Sequence, residues 1–112
     1  MNSKFFLCFF LLFSINSYGQ NNKPSLEQYA ACYANFMLIA GTIQRDEPNE
    51  AAEAKGIARK FYNLVDGKLD DKKFDLILNQ EASSYKKLND LKDGSFVSVM
   101  RKKLDNCRSY LK

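Results

Sequence analysis

The chain contains no histidine and no tryptophan, and only two prolines, five glycines and three cysteines. Without histidine it lacks the commonest general base, the commonest haem ligand and the donors of most zinc sites. Its serines have no such base to activate them, and no Gly-x-Ser-x-Gly elbow occurs. Di-iron helical bundles require inward carboxylates together with Glu-x-x-His. The acids Asp46, Glu47, Glu50 and Glu53 therefore read as solvated charge that complements a helix dipole. A glycosidase needs two acids across a cleft, and nothing in so short a chain suggests that cleft. The expectation is a protein that is not an enzyme and carries no cofactor and no metal.

Strand-like alternation is also missing, apart from a weak trace at Ser95 to Val99 that runs straight into helical spacing. Repeats and low-complexity linkers do not occur, and 112 residues suit a single domain. The formal charge of +4 includes Lys4. A mild basic excess of this kind bears on solubility and on attraction to anionic surfaces, not on fold.

What is present begins with a leader. Lys4 precedes the uninterrupted apolar run Phe5 to Phe13, and Ser14 to Gly19 then turns small and polar. Ser17 and Gly19 stand at minus three and minus one to a cut before Gln20, the layout of a secretory signal peptide. The apolar run is about half of the ~20 residues that span a bilayer, so no stable membrane span is expected after cleavage. The reading is a signal peptide at 1–19, a disordered lead at 20–24 and one helical domain at 25–112. Localisation follows as exported, periplasmic or secreted.

Cleavage removes Cys8 and leaves Cys32 and Cys107. An even count in an oxidising compartment predicts a disulfide. Closing a loop of that length contributes ~4 kcal/mol in the chain-entropy model, less any strain. Catalytic redox pairs usually stand as Cys-x-x-Cys, so this widely spaced pair reads as structural.

The mature chain spells four helices. Ser25 with Gln28 three residues later is a capping box, so the first helix starts at Ser25 and runs to Gln44. It is apolar almost all round: Tyr29, Tyr33, Phe36, Ala40 and Ile43 form a stripe that Cys32, Met37 and Ile39 broaden. A helix without a broad polar face must be covered on most sides. The second helix is expected from about Glu47 to Asp66, with Pro48 in its first turn, Gly67 after its end and a seam of Ala54, Ile57, Phe61, Leu64 and Val65. Asp70 or Asp71 caps the third, which carries Phe74, Ile77, Leu78, Tyr85, Leu88 and Leu91. The polar interval Asn79 to Ser84 leaves a break in it open. The fourth begins near Ser95 with an alternating seam of Val97, Met100, Leu104, Cys107 and Leu111 and a charged outer face that includes Arg101, Lys102, Lys103 and Arg108.

The predicted fold class is all-α, a small antiparallel bundle of about four helices whose first and last helices are joined by the disulfide. In an up-down-up-down order, Cys32 lies roughly 10 Å along the first helix and Cys107 roughly 7 Å before the end of the last, at 1.5 Å per residue. The two heights match.

Asp66-Gly67-Lys68-Leu69-Asp70 imitates part of a calcium-binding EF-hand loop. In that alignment Tyr62, Leu64 and Lys73 occupy principal ligand positions, which argues for a Gly-terminated helix followed by an Asp-capped one. The basic residues lack an exposed aromatic platform, and nucleic acid is not an expected partner.

In outline the chain resembles small exported bacterial helical proteins with one disulfide, a class that includes acid-stress periplasmic chaperones. Signal peptide, size, helicity and two cysteines are the shared features.

The leading expectation is a non-enzymatic module that binds another macromolecule, an unknown protein or envelope component, with self-association as a further outcome. A periplasmic stress chaperone and a small-ligand or lipid carrier are the alternatives. Tyr29, Tyr33, Met37 and Ile39 are the candidate binding surface, because three short helices leave part of the first one uncovered. Intact-mass measurement of the exported protein should give a chain beginning at Gln20 that gains two hydrogens on reduction. A full-length mass, or a mass unmoved by reductant, contradicts the leader or the bridge.

Overall fold

The computed structural model describes residues 23–112, which form four helices: α1 Leu26–Ile43, α2 Pro48–Val65, α3 Asp71–Asp90 and α4 Ser95–Ser109. The expected signal peptide, Cys8 and the first residues of the polar lead lie outside the described residues.

Each helix starts where its sequence supplies a device for starting. Ser25 Oγ accepts from the Gln28 N–H at 3.1 Å, and Gln28 Oε1 accepts from the Ser25 N–H at 2.8 Å. Two donors that α1 cannot satisfy internally are thereby paired. Pro48 opens α2, where its missing N–H costs no hydrogen bond. Asp70 Oδ2 accepts from the Lys73 N–H at the start of α3. The turn into α4 uses Gly94 at φ 89°, and Asp93 accepts from both the N–H and the hydroxyl of Ser95. Those two hydrogen bonds hold the Asp93 carboxyl below its ordinary pKa. Gly67, at φ 78°, follows α2 in the left-handed conformation that glycine adopts without a Cβ penalty.

The four helices do not share their contacts equally. α1 is central: it packs chiefly on α2, then on α3, and only sparsely on α4. The helices α2 and α4 do not meet at backbone level, nor do α2 and α3. An axis of apolar side chains with partners on most sides was the expectation for α1, and the other three helices are arranged around it. Residue pairs give the directions. Glu27 faces Lys73 and Thr42 faces Tyr85, so α1 and α3 run parallel. Tyr29 faces Tyr110 and Cys32 faces Cys107, so α4 runs antiparallel to them.

The α1–α2 contact is close because α2 presents alanine. Ala51, Ala54, Ala58, Phe61 and Val65 are buried at spacings of three and four, while Ile57 and Leu64 are only half-buried beside them. The expected seam of Ala54, Ile57, Phe61, Leu64 and Val65 gains Ala51 and Ala58, so small residues carry its first half. Ala40, Ala51 and Ala58 have no solvent exposure, and Phe36 stacks on Phe61 with ring centroids 6.1 Å apart.

Two further expectations are corrected. Val97 was placed on the α4 seam but is 57 % exposed. Phe96 turns inward instead, packing edge-on against Tyr85 at 5.2 Å. Leu91, assigned to α3, is its exposed C-cap. The α3 helix is also continuous through Asn79 to Ser84, and a polar cross-link to α1, described below, accounts for one of those residues.

Replacing Ala58 with leucine is expected to cost about 1–3 kcal/mol by overpacking this interface, read as a lowered thermal midpoint. An unchanged midpoint would mean that α2 can move away from α1 at no cost.

Candidate functional site

Four α1 residues were expected to form one surface, and the structure divides them. Tyr29 is half-buried against Phe61 at 5.9 Å and Tyr110 at 6.5 Å, and Ile39 packs against the core. Both keep part of their surface exposed, as Tyr33 does. Tyr33 and Met37, one turn apart, lie on the side of α1 that α2 and α3 leave partly open. Tyr33 stands between Tyr62 at 5.6 Å and Phe74 at 5.7 Å, and Met37 is 38 % exposed.

These two residues form one wall of an open groove of about 420 Å³ whose other wall is Lys55, Arg59 and Tyr62 of α2. The α2 residues recur at intervals of four and three, so they project from one helix face. Tyr62 is 39 % exposed. Neither Lys55 nor Arg59 has a carboxylate partner among the described residues, whereas Lys73, Lys86, Lys103 and Arg108 each do. The groove thus has an aromatic and thioether floor with two unpaired cations along one edge.

The spacing of Lys55, Arg59 and Tyr62 is visible in sequence, but nothing in it marks that face as the wall of a groove. Which side of α1 stays open depends on where α3 docks, and helical periodicity carries no record of that.

A second open pocket, of about 230 Å³, lies where α1, α3 and α4 meet, and both Cys32 and Cys107 contribute to its wall. The two cysteines stand at bonding distance, with Cα atoms 5.7 Å apart. Beside them lies a polar cross-link that was not foreseen. Asn35, only 4 % exposed, donates from Nδ2 to the Ala31 carbonyl at 2.9 Å and to Glu81 Oε1 at 2.8 Å. Lys103 Nζ stands 3.7 Å from the same carboxylate oxygen. Asn35 Oδ1 is buried without a partner.

A second cross-link ties Thr42 to Tyr85. The Thr42 hydroxyl donates to the Leu38 carbonyl at 3.0 Å, so the Tyr85 hydroxyl must be the donor to Thr42 Oγ1. Arg108, assigned to the outer face of α4, instead sets its guanidinium 5.4 Å from the centroid of the Phe36 ring while donating to Asp105.

No family model, curated protein or solved structure matches this chain. The groove and the pocket must therefore be interpreted from their own chemistry. Among the described residues no group of three or more His, Cys, Asp or Glu side chains is placed to hold a metal ion. In the acidic N-terminal half of α2, Glu50 is raised above its ordinary pKa by a hydrogen bond and repulsion from Glu47, and both are exposed to solvent.

Replacing Lys55 and Arg59 together with glutamine should leave stability within about 0.5 kcal/mol of the parent, because no intramolecular partner is lost. A substantially lower denaturation midpoint would assign the two cations to the fold instead of to the groove.

Proposed function

We propose that this protein is an exported, non-enzymatic binding module whose α1–α2 groove receives an acidic segment, bearing an apolar side chain, of another exported protein. The observation that carries this reading is the combination in one groove of exposed Met37 and Tyr62, half-buried Tyr33 and the unpaired Lys55 and Arg59. Tyrosine, methionine and arginine are the residue types enriched where proteins meet, and tyrosine and arginine dominate the energetic centres of such contacts.

The groove's chemistry supports the choice of partner. A carboxylate placed between Lys55 and Arg59 gains attraction from both without displacing an existing ion pair. An aliphatic or aromatic side chain beside it covers Met37 and Tyr62. The first part of the interaction raises association rate and selects charge, while the second slows dissociation. Export is supported by the leader-like stretch from Lys4 to Gly19 and by the cysteine pair, since disulfides persist in oxidising compartments. Among the described residues no helix is long and apolar enough to cross a membrane.

A photo-crosslinking residue at position 62, activated in cells that export the protein, tests the proposal. The expected result is one discrete adduct with an exported protein, lost when Lys55→Glu and Arg59→Glu are introduced together. An adduct that survives charge reversal overturns the acidic partner. A homodimeric adduct replaces the partner with a second copy, and no adduct at all removes the groove as a binding surface.

A further inference from the structure

The fourth helix is attached to the rest of the fold in an unusual balance. Its backbone approaches α1 and α3 only sparsely and α2 not at all. Val97 and Val99 face solvent, and the apolar hold comes from buried Met100 and from half-buried Phe96, Leu104, Tyr110 and Leu111. Against that modest apolar contact stands one covalent bond, Cys32–Cys107, joining residues 75 apart in sequence. Both cysteines belong to the core cluster, 3 % and 7 % exposed, so the bond reaches solvent only along one edge. Both cysteines form part of the wall of the open 230 Å³ pocket, with Gln28, Glu81 and Lys103 also lining it.

We propose that this pocket is a thiol–disulfide exchange site, through which a protein dithiol opens the Cys32–Cys107 bond and releases α4 while α1, α2 and α3 stay folded. The chemistry is a two-electron exchange. One thiolate of the incoming dithiol attacks a cysteine sulfur at the pocket wall, the Cys32–Cys107 bond breaks, and the departing thiolate takes up a proton. The second thiol of the reductant then attacks the mixed disulfide. The reductant leaves as a disulfide, and Cys32 and Cys107 remain as two thiols. Lys103, the more exposed member of its pair with Glu81, offers positive charge toward an approaching thiolate.

The consequence lies in what α4 covers. Tyr110 packs on Tyr29, Arg108 lies over Phe36, and Leu104 and Leu111 rest on the cluster containing Phe36 and Phe61. Opening the bond gives α4 freedom to leave and turns this aromatic side of α1 toward solvent. The α1–α2 interface and the Asn35–Glu81 and Thr42–Tyr85 links are made without α4 and remain. This goes beyond the groove-binding reading, since it concerns the face of α1 bearing Tyr29, Cys32 and Phe36 and not the one bearing Tyr33 and Met37.

The test uses the unaltered oxidised protein, with dithiothreitol as the dithiol probe and hydrogen exchange as the readout. Without denaturant, reduction should be first order in dithiothreitol and insensitive to low concentrations of urea. Protection of the α4 amides should fall by roughly tenfold or more, with α1, α2 and α3 protection kept and binding of an apolar dye increased. Reduction limited by the rate of global unfolding would overturn the exchange site. A reduced protein with α4 still protected, or with all four helices exposed, would overturn the selective release.

Discussion

The constraint on which the fold depends is that α1 has almost no polar face. From Tyr29 to Ile43 nearly every direction around the helix presents an apolar side chain, so burial on one side alone would leave the rest wet. The chain meets this by setting three helices around α1 instead of closing a ring in which each helix has equal partners. α2 takes the flank bearing Phe36 and Ala40 and, because its own stripe is alanine, can lie close. α3 covers the side bearing Asn35 and Thr42, and α4 reaches the Cys32 side through a covalent bond. Met37 lies where this covering is incomplete.

A helix that is apolar in every direction does not by itself choose which neighbour goes where or at what height. Polar residues supply that choice. Asn35 meets Glu81 and Thr42 meets Tyr85, so α3 is fixed at two levels nearly two turns apart on α1. A shift of α3 by one turn would leave Asn35 Nδ2 without its carboxylate partner, and an unpaired buried donor costs about 1–3 kcal/mol. The disulfide performs the corresponding task for α4, which has fewer apolar contacts to set its position.

How much of this was legible in sequence depended on whether the cause was local. Caps are local, and Ser25, Pro48 and Asp70 mark the helix starts as written. The height match between Cys32 and Cys107 needed only helix rise and an up-down order, both of which follow from short connections. Three features needed tertiary context. Ala51 and Ala58 become core only because α1 approaches closely, which hydrophobicity ranking does not register. Phe96 displaces Val97 because Tyr85 of α3 offers an aromatic edge. Glu81 sits in a polar interval that suggested a break, and it stays helical while its carboxylate is used by a buried amide on another helix. The candidate site shows the same division: periodicity identified Tyr33 and Met37 as surplus, but the second wall belongs to α2 and is defined by packing.

Covering α1 with three helices leaves one open side and one weakly covered side, and the two differ in chemistry. The open side is edged by Lys55 and Arg59, whose charge limits what can approach Met37 and Tyr62: a neutral apolar surface would have to desolvate two cations without compensation, at a cost that burial of one methionine and one tyrosine face does not offset. An acidic partner removes that conflict. On the side of α4 the reverse holds. Arg108 is already engaged with Phe36 and Asp105, and apart from Asn35 and Glu81 at the pocket edge what lies beneath α4 is largely aromatic and aliphatic. A surface of that kind has no charge selectivity and would attract any apolar chain, so holding it shut with a covalent bond limits indiscriminate association. On the reading proposed above, the same hub presents a charge-selective groove and keeps a less selective apolar face covered by a helix tied down through the Cys32–Cys107 bond.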